Sequence, residues 1–200
     1  FMLWDASHAV GAIEMDFDKN GVDIAVGCTY KYGNSGPGSP AWLYVNKKVQ
    51  AELQVPIQGW FSQGDQFAMG PAFEKAEGIR GFQIASPSLI GLRCIKSAFT
   101  MIEEAGIGAI SEKAAIGTEM MIQLYDAWLA ELGFTLLTSR NPQERGGHIS
   151  LGHPDAARIC VALREFADVI PDYRTPDSIR LAIAPLPTSY VEVWDGFARI

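Results

Sequence analysis

The sequence predicts an α/β protein in two parts, an incomplete α/β domain over residues 1–109 and a small α+β domain over residues 110–200. In the first part, short apolar runs with the length of buried strands alternate with turn and helix patterns. After Gly133 the order changes to strand, strand, helix and strand, which is typical of a separate small α+β domain.

The elements of the first part follow from runs of apolar residues and from turn signals. Residues 1–6, 22–27 and 41–45 are predicted to be strands, and residues 46–53 a short helix with Asn46 as its cap. Residues 59–87 show no sustained period, so we expect a long loop, which in a compact domain is usually functional. Pro87 then predicts the first turn of a long helix that ends near Glu104.

The elements of the second part are predicted in the same way. Apolar residues spaced by one or two helical turns indicate a helix from Ile110 to Leu132. The elements expected after it are strands at 134–137, 148–151 and 178–184, a helix at 154–166 and an amphipathic segment at 190–200.

Composition and charge restrict the function classes. The 16 basic and 23 acidic residues give a net charge of -7, and no basic run is present, which argues against nucleic-acid and membrane partners. No apolar run is long enough to cross a bilayer, and the first residues do not show the basic and apolar regions of a signal peptide, so neither feature is expected. The three cysteines are widely spaced without a CxxC pair, which favours reduced thiols, a cytoplasmic location and no metal site. The chain starts inside an apolar run and ends inside a helical pattern, so we expect it to be truncated at both ends.

Two residues that follow predicted strands could carry chemistry. Asp5 lies at the end of the first strand, where it could hold a protonated ring nitrogen or could instead cap the following turn. Lys31, preceded by Tyr30, follows the second strand, where desolvation would make its amine nucleophilic; a lysine that reaches the surface beside packed tyrosines is the alternative. His8 near Asp5 is more often structural than catalytic.

Three further positions are candidates for ligand contacts. The Trp60 indole lies in the long loop, where core packing is its ordinary role. Ser86 is a candidate N-cap of the helix that Pro87 begins, and such a hydroxyl also suits a phosphate. Arg180 lies in an apolar strand and needs an anionic partner, which is either a substrate carboxylate or an acidic side chain of the protein.

The order of these motifs is more specific than any one of them. Three motifs follow each other as in fold-type I enzymes that use pyridoxal 5′-phosphate (PLP). They are the acid of a W-D-x-x-H segment, a C-T-Y-K strand end and a G-P-G turn. Among these enzymes the chain resembles the C-terminal half of the kynureninases from its first residue to its last. The stretches that carry this resemblance are Leu3–Asp5, His8–Ala12, Gly27–Tyr32, Gly36–Ser39, Gly59–Phe61, Gln66–Met69, Arg145–His148, Asp172–Arg174, Ile179–Arg180 and Ala184–Leu186.

The resemblance implies a role for each candidate residue. Lys31 would be the Schiff-base lysine that moves protons at the substrate α-carbon, and Asp5 would pair with the pyridine nitrogen, supported by His8. The other implied cofactor contacts are Tyr30 and Trp60 at the phosphate, with Tyr30 also a proton donor, and Ser86, which reaches the active site of the partner subunit. Arg180 would bind the α-carboxylate of the substrate.

The resemblance also implies an activity, hydrolysis of the β–γ carbon–carbon bond of L-kynurenine, or of its 3-hydroxy form, by a homodimer. Gly147 stands where the family often has serine. The N-terminal portion of the family, with further cofactor contacts, is absent, so we expect these 200 residues alone to be inactive. An aminotransferase, a cysteine desulfurase and a non-catalytic oligomerisation module of the same fold remain alternatives.

Overall fold

The computed structural model describes all 200 residues and divides into two compact units. The first unit contains residues 1–10 and 15–101, and the second contains residues 11–14 and 102–200. The domain boundary predicted between residues 109 and 110 stays a prediction.

The first unit contains a three-stranded mixed sheet formed by β1 (Leu3–Asp5), β2 (Ile24–Gly27) and β3 (Trp42–Val45). The strand order is β1-β2-β3, with β1 parallel to β2 and β3 antiparallel to β2. Asp5 pairs in register with Val26. The carboxyl ends of β1 and β2 therefore meet at one edge of the sheet, which is where ligands bind in α/β folds.

The segment 46–53 forms a series of turns, so the helix predicted there is wrong. Asn46 Oδ1 accepts the N–H of Lys48 at 3.0 Å, the contact expected of a cap, but the residues after it continue as turns. The ammonium of Lys75 donates to the carbonyls of Gln50 and Leu53, both at 2.7 Å. A distant lysine thus takes the carbonyls of this segment, and local sequence does not reveal that contact.

The long helix of the first unit, α1 (Leu89–Ala105), begins later than predicted. Ser88 Oγ accepts the N–H of Gly91 at 3.1 Å, so Ser88 caps the helix and the expectation that Ser86 does so is wrong. A Cβ atom added to Gly91 would lie 2.5 Å from Pro40 Cδ. The first turn of α1 therefore packs tightly on the loop before β3.

The second unit contains a four-stranded antiparallel sheet and three α-helices. Its strands are β4 (Thr135–Leu136), β5 (His148–Gly152), β6 (Asp172–Arg174) and β7 (Ser178–Ala182), in the order β4-β5-β7-β6. Its helices are α2 (Ile107–Leu124), α3 (Ala156–Phe166) and α4 (Tyr190–Phe197). One π-helical turn and one 3₁₀ turn continue α2 to Leu132, so the predicted helix is present in full length. Strand β6 was not predicted.

The core of the second unit lies between its helices and the inner face of its sheet. The largest side chains that are almost completely buried there are Ile122, Leu129, Ile149, Leu151, Ile179 and Ile183. Gly117 of α2 lets Ile183 approach closely, because an added Cβ atom would lie 2.6 Å from Ile183 Cδ1. None of the helices combines the length and the apolar character that a bilayer crossing requires.

Candidate active site

The structure brings Asp5, His8 and Lys31 close together at the edge of the sheet where β1 and β2 end. Asp5 is the last residue of β1, and the chain leaves β2 at Gly27 into a turn that contains Lys31. The positive charges of Lys31 and His8 both lower the pKa of the Asp5 carboxyl, so both groups lie within electrostatic range of it. The two residues that sequence reasoning took to be the central pair are therefore neighbours.

The charge state of Asp5 depends mainly on hydrogen bonds from one neighbouring residue. The hydroxyl and the backbone N–H of Ser7 lower the pKa of Asp5 most, and the N–H donates to Oδ1 at 2.9 Å. A small desolvation effect works in the opposite direction and does not reverse the shift. Asp5 is therefore anionic at neutral pH.

Ser7 also joins the segments that follow the two parallel strands. Its Oγ accepts the N–H of Cys28 at 3.4 Å, and the thiol of Cys28 lies 3.7 Å from the Ser7 carbonyl oxygen. The N–H of Ala6 donates to the carbonyl of Val26 at 2.8 Å. The sequence placed Ser7 beside Asp5 but contained no signal for these contacts, because their partners are about twenty residues away.

The turn that carries Lys31 is fixed by contacts on both sides. Thr29 is buried, and its hydroxyl donates to the Pro40 carbonyl at 2.8 Å. The N–H of Asn34, a residue with a φ of 55°, donates to the Lys31 carbonyl at 2.9 Å. A Cβ atom at Gly33 would lie 2.4 Å from the Thr29 carbonyl oxygen, so this position requires glycine. The backbone of Lys31 is thus held in place while its side chain stays half-buried.

The tyrosines that flank Lys31 differ in their environment. Tyr30 is 48% exposed, so its hydroxyl is accessible to a ligand. Tyr32 is buried and lies edge-on to the His8 ring, with 6.3 Å between ring centroids. This contact fixes His8 beside Asp5.

Trp60 and Ser86 belong to the same unit. The Trp60 Nε1–H donates to the Gln66 carbonyl at 2.7 Å, and its ring lies edge-on to Phe61 and Phe67. Ser86 is exposed in the segment before α1. Neither residue shows a contact with Asp5 or Lys31 in this structure.

Arg180 lies in β7 of the second unit, opposite Asp172 of β6. Its Nη2 donates to Asp172 Oδ2, so its partner within the chain is an acidic side chain. Nε and Nη1 of Arg180 remain available for another acceptor. The Arg180 side chain is 22% exposed, which leaves these donors accessible.

Arg145, in the stretch Arg145–His148 that the sequence analysis named, has a structural role. Its side chain is only 2% exposed, and its Nη2 binds Glu119 at 2.7 Å. Its Nε donates to the Thr118 hydroxyl at 3.1 Å, and its Nη1 to the Arg140 carbonyl. Arg145 therefore ties the loop before β5 to α2.

Comparison with solved structures defines the class of the fold. A C-DES variant with glycine covalently linked to its PLP cofactor has a TM-score of 0.79 at 19% identity, over 96% of this chain and 49% of that chain. The cysteine desulfurase of Thermococcus onnurineus NA1 has a TM-score of 0.78 at 17% identity, over 98% and 51%. The alanine–glyoxylate aminotransferase of Nostoc sp. has a TM-score of 0.68 at 14% identity, over 98% and 52%. The fold is that of the fold-type I PLP-dependent enzymes, as the sequence predicted.

Sequence comparison finds similarity to one group of enzymes. Residues 110–200 match the model of the kynureninase C-terminal domain. The kynureninase of Pseudomonas fluorescens is 34% identical over 97% of this chain and 46% of its own length. That of Burkholderia mallei (strain SAVP1) is 36% identical over 98% of this chain and 47% of its own length. The chain is therefore similar to the kynureninases, and it spans about half the length of the curated relatives it matches.

Proposed function

We propose that this chain forms part of a PLP-dependent hydrolase that cleaves the β–γ carbon–carbon bond of L-kynurenine, giving anthranilate and L-alanine. The observation that carries the proposal is the proximity of an anionic Asp5, the last residue of β1, to Lys31 in the turn that follows the adjacent parallel strand β2. The relatives are named kynureninases, and they are about twice as long as this chain. The proposed activity therefore belongs to a protein with the remaining half of that length, and the 200 residues alone are expected to be inactive.

The residues at the sheet edge fit the chemistry of PLP. A carboxylate that stays ionised suits a protonated pyridine nitrogen, and hydrogen bonds from Ser7 lower the pKa of Asp5 further. The half-buried primary amine of Lys31 suits the cofactor aldehyde. Tyr30, Trp60 and Ser86 are the proposed contacts of the cofactor phosphate side. Trp60 would have to release the Gln66 carbonyl or reach the cofactor through a small loop shift.

The cofactor, when bound, supplies an electron sink for the bond that breaks. Lys31 moves a proton at the substrate α-carbon, and Tyr30 is placed on the same turn as a proton donor. Arg180 binds the α-carboxylate through the donors that Asp172 leaves available. Water adds its oxygen to the acyl carbon, which leaves as anthranilate, and Cβ receives a proton to become the methyl group of alanine.

The environments of the cysteines support this reaction over a desulfurase reaction, which needs a mobile nucleophilic cysteine. Cys28 is half-buried beside Ser7, and Cys94 is exposed but lies within α1 and not in a loop. Cys160 is buried, and burial raises the pKa of its thiol. Low thiolate content makes a buried thiol a poor nucleophile.

The test is a turnover assay on the full-length protein with L-kynurenine, 3-hydroxykynurenine, L-cysteine, and L-alanine with glyoxylate. We expect anthranilate from L-kynurenine, and loss of at least about 10³-fold in kcat for Lys31→Ala. Lys48→Ala, at an exposed lysine near β3, is the control and should keep full activity. If the protein released sulfide from L-cysteine and formed no anthranilate, a cysteine desulfurase would replace the proposal. If it transaminated L-alanine with glyoxylate and formed no anthranilate, an aminotransferase would replace it.

The assembly and location of the protein are part of the same proposal. We propose a cytoplasmic homodimer in which Ser86 contacts the cofactor of the partner subunit. The exposure of Ser86 is compatible with such a contact. Mixing an inactive Lys31→Ala protein with an inactive Ser86→Trp protein should restore activity if the two subunits share their sites.

A further inference from the structure

Two arginines and one carboxylate form a cluster on the sheet of the second unit. Asp172 and Arg174 lie two residues apart in β6 and therefore on one face of that strand. Arg180 lies opposite Asp172 in the neighbouring strand β7. Three of their nitrogens, Nε and Nη2 of Arg174 and Nη2 of Arg180, donate to the same oxygen, Asp172 Oδ2.

Arg174 binds the same carboxylate oxygen of Asp172 as Arg180 does. Its Nε and Nη2 both donate to Oδ2, at 2.9 and 2.7 Å. The carboxylate of Asp172 is therefore held by Arg174 on its own strand and offers its oxygen to Arg180 on the neighbouring strand. The hydrogen bond from Arg174 and the charges of Arg180 and Arg174 hold the pKa of Asp172 below its usual range, although desolvation opposes them.

The contact with Asp172 uses only one end of the Arg180 guanidinium. Nη2 points to Asp172, and Nε and Nη1 lack an acceptor within the chain. Two guanidinium groups against one carboxylate leave the cluster with a charge of +2 − 1 = +1. The cluster therefore keeps a net positive charge and unused guanidinium donors, which suits one more anion.

We propose that Asp172 is a positioning residue that orients Arg180 for the α-carboxylate of the substrate, with Arg174 as its anchor. This inference rests on the proposed function, because it assumes that Arg180 meets a carboxylate. A guanidinium held in one orientation loses less side-chain entropy on binding than a free one. Asp172 thus acts on substrate affinity through Arg180 without touching the substrate.

The test uses two ligands that differ only in a carboxylate, L-alanine and ethylamine. Their dissociation constants are measured on the PLP-loaded full-length protein from the change in cofactor absorbance. Asp172→Ala should weaken L-alanine binding about tenfold and change ethylamine binding less than about twofold. Asp172→Asn keeps one acceptor oxygen and should lie between wild type and Asp172→Ala. Asp155→Asn, an exposed ion-pair residue of the same unit, is the matched control and should change neither constant.

The outcomes separate this inference from the function on which it rests. If Arg180→Gln lowers the preference for L-alanine but both Asp172 variants keep it, the positioning role is wrong and the proposed function stands. If Arg180→Gln also keeps the preference, the carboxylate-binding role of Arg180 fails, and the inference fails with it. Equal weakening of both ligands by Asp172→Asn, in a protein with an unchanged melting temperature, would also overturn the positioning role.

Discussion

At the scale of single residues, the candidate site depends on short-range hydrogen bonds that set charge and orientation. Hydrogen bonds from Ser7 lower the pKa of Asp5, and Tyr32 packs against the ring of His8. The position of Asp5 and Lys31 could be predicted from sequence, because each follows an apolar run of strand length. The partner of Arg180 could not, since Asp172 lies in a strand of three residues with a polar sequence that gives no strand signal.

Replacing Ser7 by alanine should raise the pKa of Asp5 toward its ordinary value. The Ser7 hydroxyl is the largest influence that lowers this pKa, and alanine removes it while the backbone N–H remains. Because the folded-state pKa is lowered, Asp5 stabilises the fold above its unfolded-state pKa and loses this effect as the pH falls through the folded-state value. Ser7→Ala should therefore narrow the pH range between the folded-state and unfolded-state pKa values of Asp5, over which this stabilisation is lost. Carboxyl NMR titration measures the pKa, with Ser88→Ala as the control; an unchanged pKa in Ser7→Ala would contradict this account.

At the scale of elements, the sequence predicted well those helices and strands whose apolar pattern is long or continuous. Strands β1 to β5 and β7 and helices α1 to α4 all overlap their predicted ranges. The failures lie in short segments. Residues 46–53 form turns whose carbonyls at Gln50 and Leu53 bind the distant Lys75, and the start of α1 depends on which of two nearby serines caps it.

The two serines before α1 give a direct test of where the helix begins. Ser88→Ala removes the side-chain acceptor for the Gly91 N–H and should lower the free energy of unfolding by about 1 kcal/mol. Ser86→Ala is the matched control and should change it by less than about 0.5 kcal/mol, as usual for exposed positions. Urea unfolding of both variants measures these free energies. Equal changes in Ser88→Ala and Ser86→Ala would show that Ser88 is not the cap of α1.

The turn that carries Lys31 should tolerate no side chain at Gly33. Gly33→Ala places a Cβ atom against the Thr29 carbonyl and the Phe99 ring, so the turn must shift. We expect a loss of about 1–3 kcal/mol in unfolding free energy and weaker PLP binding by the full-length protein. Gly70→Ala, where the nearest atom is 3.9 Å away, should leave both quantities nearly unchanged. Wild-type PLP affinity in Gly33→Ala would show that the turn does not position the lysine.

At the scale of the whole molecule, the chain spans about half the length of the curated relatives it matches. Phe1, Met2, Leu3 and Trp4, at and before the edge strand β1, are between 54% and 74% exposed. The fold class and the similarity to the kynureninases could be inferred from the order of the motifs, because strand ends and glycine turns constrain the backbone around a cofactor.

The central claim is that Lys31 forms the Schiff base with PLP, and borohydride trapping tests it most directly. The full-length protein is incubated with PLP, reduced, digested and mapped by mass spectrometry. We predict one pyridoxyl group, on Lys31, together with loss of the absorbance band near the visible edge. Lys75, whose ammonium is bound by two carbonyls, should stay unmodified. An adduct at another lysine, or none at Lys31, would contradict the account.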